Sequence, residues 1–103
     1  MAEDAPGATT QAGQEPAVTV ILPGVLQRLF PGSARRVELR AATVAGAIDD
    51  LDARWPGMRD RICDSRPAIR RHMNVFVDGE RAPLDAPLRE GSTVVVLTAV
   101  SGG

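Results

Sequence analysis

The chain has 103 residues, 44 % of them apolar and 24 % charged, with a formal net charge of −1. That length holds one small domain with one core, and the near-neutral balance excludes the basic footprint that nucleic acid requires. No apolar run approaches the roughly 20 residues of a membrane span, and the single cysteine, Cys63, excludes an internal disulfide and suits a reducing compartment.

The start, MAEDAPGATTQAGQEP, is acidic and has no apolar segment, so it does not read as a signal peptide. A cytoplasmic protein is expected, with partners that are neither nucleic acid nor membrane. Residues 1–16 lack apolar periodicity and predict a disordered arm. AVTVIL (17–22) alternates and is β-branched, which predicts the first strand, with Val18, Val20 and Leu22 on one face and Thr19 and Ile21 on the other. Pro23-Gly24 ends it, VLQRLF (25–30) fits a helical turn, and Pro31-Gly32-Ser33 fits a turn. RVELR (36–40) then alternates apolar and charged residues, the mark of a strand with one wet face, paired as a hairpin with the first.

Thr43 reads as an N-cap. Val44, Ala47, Ile48, Leu51 and Trp55 follow at spacings of three and four, an amphipathic helical stripe that Pro56-Gly57 stops. MRDRIC (58–63) fits a short helical turn and DSRPAIRR (64–71) a loop. HMNVFV (72–77) predicts the third strand, closed by the hairpin signal Asp78-Gly79. ERAPL (80–84) predicts a short return strand that Pro83 confines to an edge. After the connection DAPLREG, STVVVL (92–97) predicts a last strand that is buried on both faces or central in the sheet. The expected fold class is α+β: a mixed sheet of four to five strands with one main amphipathic helix on one face. The first and last strands are expected side by side in its centre. The domain is expected over 17–98, with a tail at 99–103 ending in two glycines.

The inventory for catalysis is thin. His72 is the single histidine and reads as a surface residue at a strand start rather than a base. Cys63 lies beside Ile62 and reads as an inert, partly buried thiol. No Cys/His spacing fits zinc. Asp49, Asp50 and Asp52 read as a solvated helix face, because neighbouring helical carboxylates point apart. The isolated glycines are turn residues, not a phosphate loop. All 12 basic residues are arginine, so no lysine amine is available for isopeptide or Schiff-base chemistry. No metal is expected, no cofactor bound by the chain, and no enzymatic activity. The domain reads as a substrate or binding partner, which directs attention to the tail. A diglycine end has no Cβ to obstruct a narrow channel; glycines at a frayed terminus would look the same.

The chain resembles the ThiS/MoaD family of ubiquitin-like sulfur carriers, which share the β-grasp fold. The resemblance covers about Ala17 to Gly103 and lies in AVTVILPGVLQRLF, TVAGAIDDLDARWPG, NVFVDGE and, most specifically, PLREGSTVVVLTAVSGG. Within that family, IRRHMNVFVDGE is most similar to the actinobacterial CysO-type carriers used in cysteine synthesis. The resemblance implies that the Gly103 carboxylate is adenylated by a ubiquitin-activating-like adenylyltransferase, which uses ATP. It is then converted to a thiocarboxylate that gives its sulfur to a sulfur-accepting synthase. Gly102 matches the slim neighbour, and Val100 and Ser101 the linker. The sulfur is expected to enter cysteine, thiamin, molybdopterin or another metabolite, with cysteine or a related pathway favoured. A modifier joined to target lysines through Gly103 needs the same glycines. Strand alternation also expects Val95 and Leu97 to point outward when Val94 and Val96 point inward. Ile21, Phe76 and Leu97 then make either a partner-binding patch or part of an ordinary two-sided core.

Overall fold

The structure, a computed structural model, describes residues 15–66 and 68–98. The chain runs β1 (Ala17–Ile21), α1 (Gly24–Leu29), β2 (Arg36–Arg40), α2 (Val44–Arg54), α3 (Met58–Ile62), β3 (Met73–Val77), β4 (Glu80–Arg81) and β5 (Thr93–Thr98). The strands form one five-stranded mixed sheet in the order β2-β1-β5-β3-β4. β1 and β5 lie side by side in the centre, as expected, and pair in parallel; the other pairings are antiparallel.

One face of the sheet is the core. Val18 and Val20 of β1, Val75 of β3 and Val94 and Val96 of β5 are buried there, together with Val37 and Leu39 of β2. α2 closes that face with Val44, Ala47, Ile48 and Leu51. Burying one such side chain is worth about 1.5–3 kcal/mol, so this stripe holds the helix down more firmly than propensity can. The helix begins where Thr43 stops the extended chain, and the Thr43 hydroxyl oxygen accepts from the Gly46 amide at 3.1 Å.

Three local devices differ from the sequence reading or go beyond it. Asp52, read as part of a solvated face, accepts from the Gly57 and Arg59 amides at 3.0 Å each. It thereby satisfies amides at the start of α3 and sets its angle to α2. Gly57 sits between the two helices at φ 101°, where a side chain would be strained. The turn after β3 places both Asp78 and Gly79 at positive φ, the twist that a tight two-residue hairpin needs. The Asp78 carboxylate then accepts from the Thr93 amide at 2.9 Å, which ties this turn to β5.

Several boundaries are corrected. β1 stops at Ile21, although Leu22 is buried in the core. β3 starts at Met73, because Arg71 and His72 form a turn before it. The return strand holds only Glu80–Arg81, since Pro83 has no amide to continue the ladder. Of the two alternatives for β5 the structure takes the central place; it is not buried on both faces, and Leu97 is 44 % exposed because α2 covers one face alone. Of the arm expected over 1–16, residues 1–14 lie outside the described residues; Glu15 and Pro16 are described. The Pro16 carbonyl accepts from the Ala41 amide at 3.0 Å, and the Glu15 carbonyl from Arg40 at 2.9 Å.

Candidate functional site: the open sheet face and the base of the tail

Among the described residues no helix covers the second face of the sheet, and strand register determines what it presents. Ile21 of β1 stands opposite Val95 of β5, and Val95 opposite Phe76 of β3. The same row continues outward to Arg36 of β2, opposite Ile21, and to Arg81 of β4, opposite Phe76. The sheet thus has one cross-strand row in the order Arg36, Ile21, Val95, Phe76, Arg81: three apolar residues with a guanidinium at each end. Leu97 lies one step further along β5 on this face, opposite Asn74. One step the other way the face turns polar, and the Thr19 hydroxyl donates to Glu38 at 2.9 Å.

Ile21, Phe76 and Leu97, the three residues singled out from the sequence, therefore share one face. Ile21 and Phe76 are half-buried among their neighbours, whereas Leu97 is the outermost. Alternation points Val95 outward without placing it in the patch; register makes it the centre, between Ile21 and Phe76. Arg36 and Arg81 were missed as well. Sequence spacing tells which face a residue is on but not which residue lies across from it on another strand, and that pairing creates the row.

Val100, Ser101, Gly102 and Gly103 lie outside the described residues. What the structure fixes is where they start. β5 ends at Thr98, next to Leu97 and across from Met73 of β3. Five further residues reach at most roughly 17 Å from that point.

The remaining reactive groups stand apart from this face. Cys63 is buried at the end of α3, and burial pushes its thiol pKa up, so the nucleophilic thiolate is disfavoured. His72 is exposed in the turn before β3. Asp64 accepts from Arg66 through both the Nη2 and Nε groups, at 2.6 and 2.9 Å. These bonds pull its carboxyl down to about 2 and shape the loop after α3. Among the described residues no group of His, Cys, Asp or Glu is arranged to hold a metal ion, and no helix is long and apolar enough to cross a membrane.

Comparison with known proteins gives this geometry its context. Residues 20–103 match the ThiS family, so the match takes in the end of β1, the other four strands, α2 and the tail. The sulfur carrier protein CysO of Mycobacterium tuberculosis is 33 % identical over 92 residues, covering 84 % of this chain and 98 % of that protein. A chain in the crystal structure of the Amycolatopsis orientalis BexX/CysO complex superposes with a TM-score of 0.76 at 35 % identity, over 84 % of this chain and all of that one. SAMP1 from Haloferax volcanii superposes with a TM-score of 0.71 at 27 % identity, over 84 % of this chain and 99 % of that one. The five-stranded sheet with its packed helix is the β-grasp fold that these proteins share. This chain belongs to the ThiS family.

Proposed function

We propose that this chain is a sulfur carrier whose working atom is the carbonyl carbon of Gly103. A free α-carboxylate has a pKa near 3.5 and is anionic at neutral pH, so it resists nucleophiles. In the proposed cycle its oxygen attacks the α-phosphorus of ATP on a ubiquitin-activating-like adenylyltransferase, and pyrophosphate leaves. A sulfur donor then attacks the carbonyl carbon, AMP leaves with the bridging oxygen, and a thiocarboxylate remains. That thiocarboxylate is the sulfur nucleophile for a sulfur-accepting synthase making cysteine or another sulfur metabolite. Members of this family carry rather than catalyse, and the thin inventory of bases and nucleophiles in the body is in keeping with that.

The observation that carries this reading is the family match that continues through Val100-Ser101-Gly102-Gly103. The open sheet face supports it physically. An apolar row with an exposed leucine beside the tail's origin gives an enzyme a surface to hold while it works on the tail. Intact mass after incubation with cell extract, ATP and sulfide tests it. The expected product is heavier by the exchange of one oxygen for sulfur at the C-terminus, and a chain that stays unmodified under those conditions contradicts the reading.

The likeness to SAMP1, also described as small archaeal modifier protein 1, favours a second reading. There Gly103 is activated in the same way but joined to lysines of target proteins. A denaturing gel probed for this chain separates the two. Discrete high-mass conjugates that survive thiol reductants support the modifier, and their absence beside a thiocarboxylate supports the carrier. The chain has no lysine of its own, so it cannot extend into lysine-linked polymers.

A further inference from the structure

β5 ends at Thr98 between two different surfaces. On one side is the sheet face with Leu97. On the other, α1, α3 and the turn before β3 enclose a groove of about 1050 Å³ that Thr98 itself lines. Its wall on the α1 side is apolar and carries Leu29, which is 44 % exposed. Leu29 and Leu97 are the large apolar side chains left exposed among the described residues, and they bracket the last residue of β5.

The opposite wall is basic. Arg61 of α3, Arg70 and His72 line it, against the one carboxylate of Asp60. Arg70 is held in place, because its Nε donates to the Asp60 carbonyl at 2.6 Å while its own amide donates to the Ile62 carbonyl at 2.8 Å. Arg61 and His72 are exposed. An apolar wall facing two guanidinium groups suits a protein segment that presents an apolar side chain beside carboxylates.

We propose that this groove is the second half of the grip by which the activating adenylyltransferase holds the chain: an acidic, apolar-tipped segment of that enzyme enters between Leu29 and Arg61. This rests on the reading of Gly103 as the activated residue. The physical reason for a second contact is orientation. A contact on one side of β5 fixes where the tail starts but leaves the whole body free to pivot on the enzyme. Contacts on both sides fix the direction of a short tether, and small errors at its base become large ones at its tip. Near-attack placement of the carboxylate against ATP depends on that direction. The groove lies at the tail's base and touches no reacting atom, so Leu29 and Arg61 act as positioning residues.

The test uses the full chain with a purified ubiquitin-activating-like adenylyltransferase from the same genome, followed by ATP–pyrophosphate exchange. Leu29→Glu and Arg61→Glu each place a negative charge where the enzyme's carboxylates arrive. Each is expected to lower kcat/KM by roughly tenfold or more. For Arg61→Glu the remaining activity should rise with added salt, which screens the new repulsion and which a purely structural role would not produce. Both side chains are exposed, so the urea midpoint should stay at the wild-type value; should Leu29→Glu unfold the chain, Arg61→Glu decides alone. Wild-type rates in the groove variants, alongside impairment in Leu97→Asp, would overturn the groove's role and leave the sheet face as the whole grip. No exchange with the wild-type chain would overturn the tail reading, and the groove's role with it.

Discussion

The two faces of the sheet are built from the same strands, yet they are packed very differently. In β5, Val94 and Val96 are each 1 % exposed, while Val95 between them is half-buried and Leu97 is 44 % exposed. In β3, Val75 is buried and Phe76 beside it lies on the open face. The difference comes from what lies above each face. α2 covers the core face with Leu51 and its neighbours; nothing among the described residues covers the other. An apolar side chain on the first face holds the fold. One on the second is only partly buried, so its loss should cost the fold less.

Substitutions on the two faces should therefore separate stability from function. The largest stability effect is expected from Leu51→Ala, which empties space under α2 where Leu51 is 0 % exposed. It should cost about 2–5 kcal/mol in urea unfolding. A loss well below that range would mean that α2 is not the lid of the core. Thr43→Ala removes the cap of the same helix and should cost about 1 kcal/mol, less than Leu51 because it loses one hydrogen bond and opens no cavity.

A smaller effect should appear in acid. Asp64 has a folded pKa depressed to about 2 against an ordinary value of 3.8. Its bonds to Arg66 therefore stabilise the fold above the unfolded value and are lost as pH falls from about 4 toward 2. Arg66 is exposed and solvent screens the pair, so the loss should be small. Asp64→Asn should flatten that part of the stability–pH curve, and an unchanged curve would show that the bonds do not hold in solution. The smallest stability effect is expected from Leu97→Ser on the open face, within about 0.5 kcal/mol of wild type. The same variant should lose tail activation. A chain that unfolds on this change, or that is activated normally, would erase the contrast between the faces.

The contrast also explains what the sequence showed and what it hid. The helix of Val44, Ala47, Ile48 and Leu51 was legible because its spacing has no other use, and Thr43 marked its start. The strands were legible by alternation, and the hairpin by Asp78-Gly79. The continuous run TVVVL was not fully legible. A run without polar residues describes equally a strand buried on both faces and one whose second face lies open. Only a lid present on one side distinguishes them. Val95, Arg36 and Arg81 escaped for a related reason, since their row exists only after five strands take their register. Asp52 looked like surface charge because its partners, the amides of Gly57 and Arg59, lie beyond a turn whose angle the sequence does not state. Cys63 was read as inert, and its burial beside Ile62 agrees with that reading.

In the proposed function the folded body is a handle for one atom at the end of the chain. Adding a single residue after Gly103 tests this most directly. Mass spectrometry of the C-terminal peptide, after incubation with ATP, sulfide and the activating enzyme, is predicted to show a thiocarboxylate on Gly103 in the wild-type chain. The extended chain, with an unchanged unfolding midpoint, should show none. Sulfur found at an internal residue, or equal conversion of the extended chain, would contradict it.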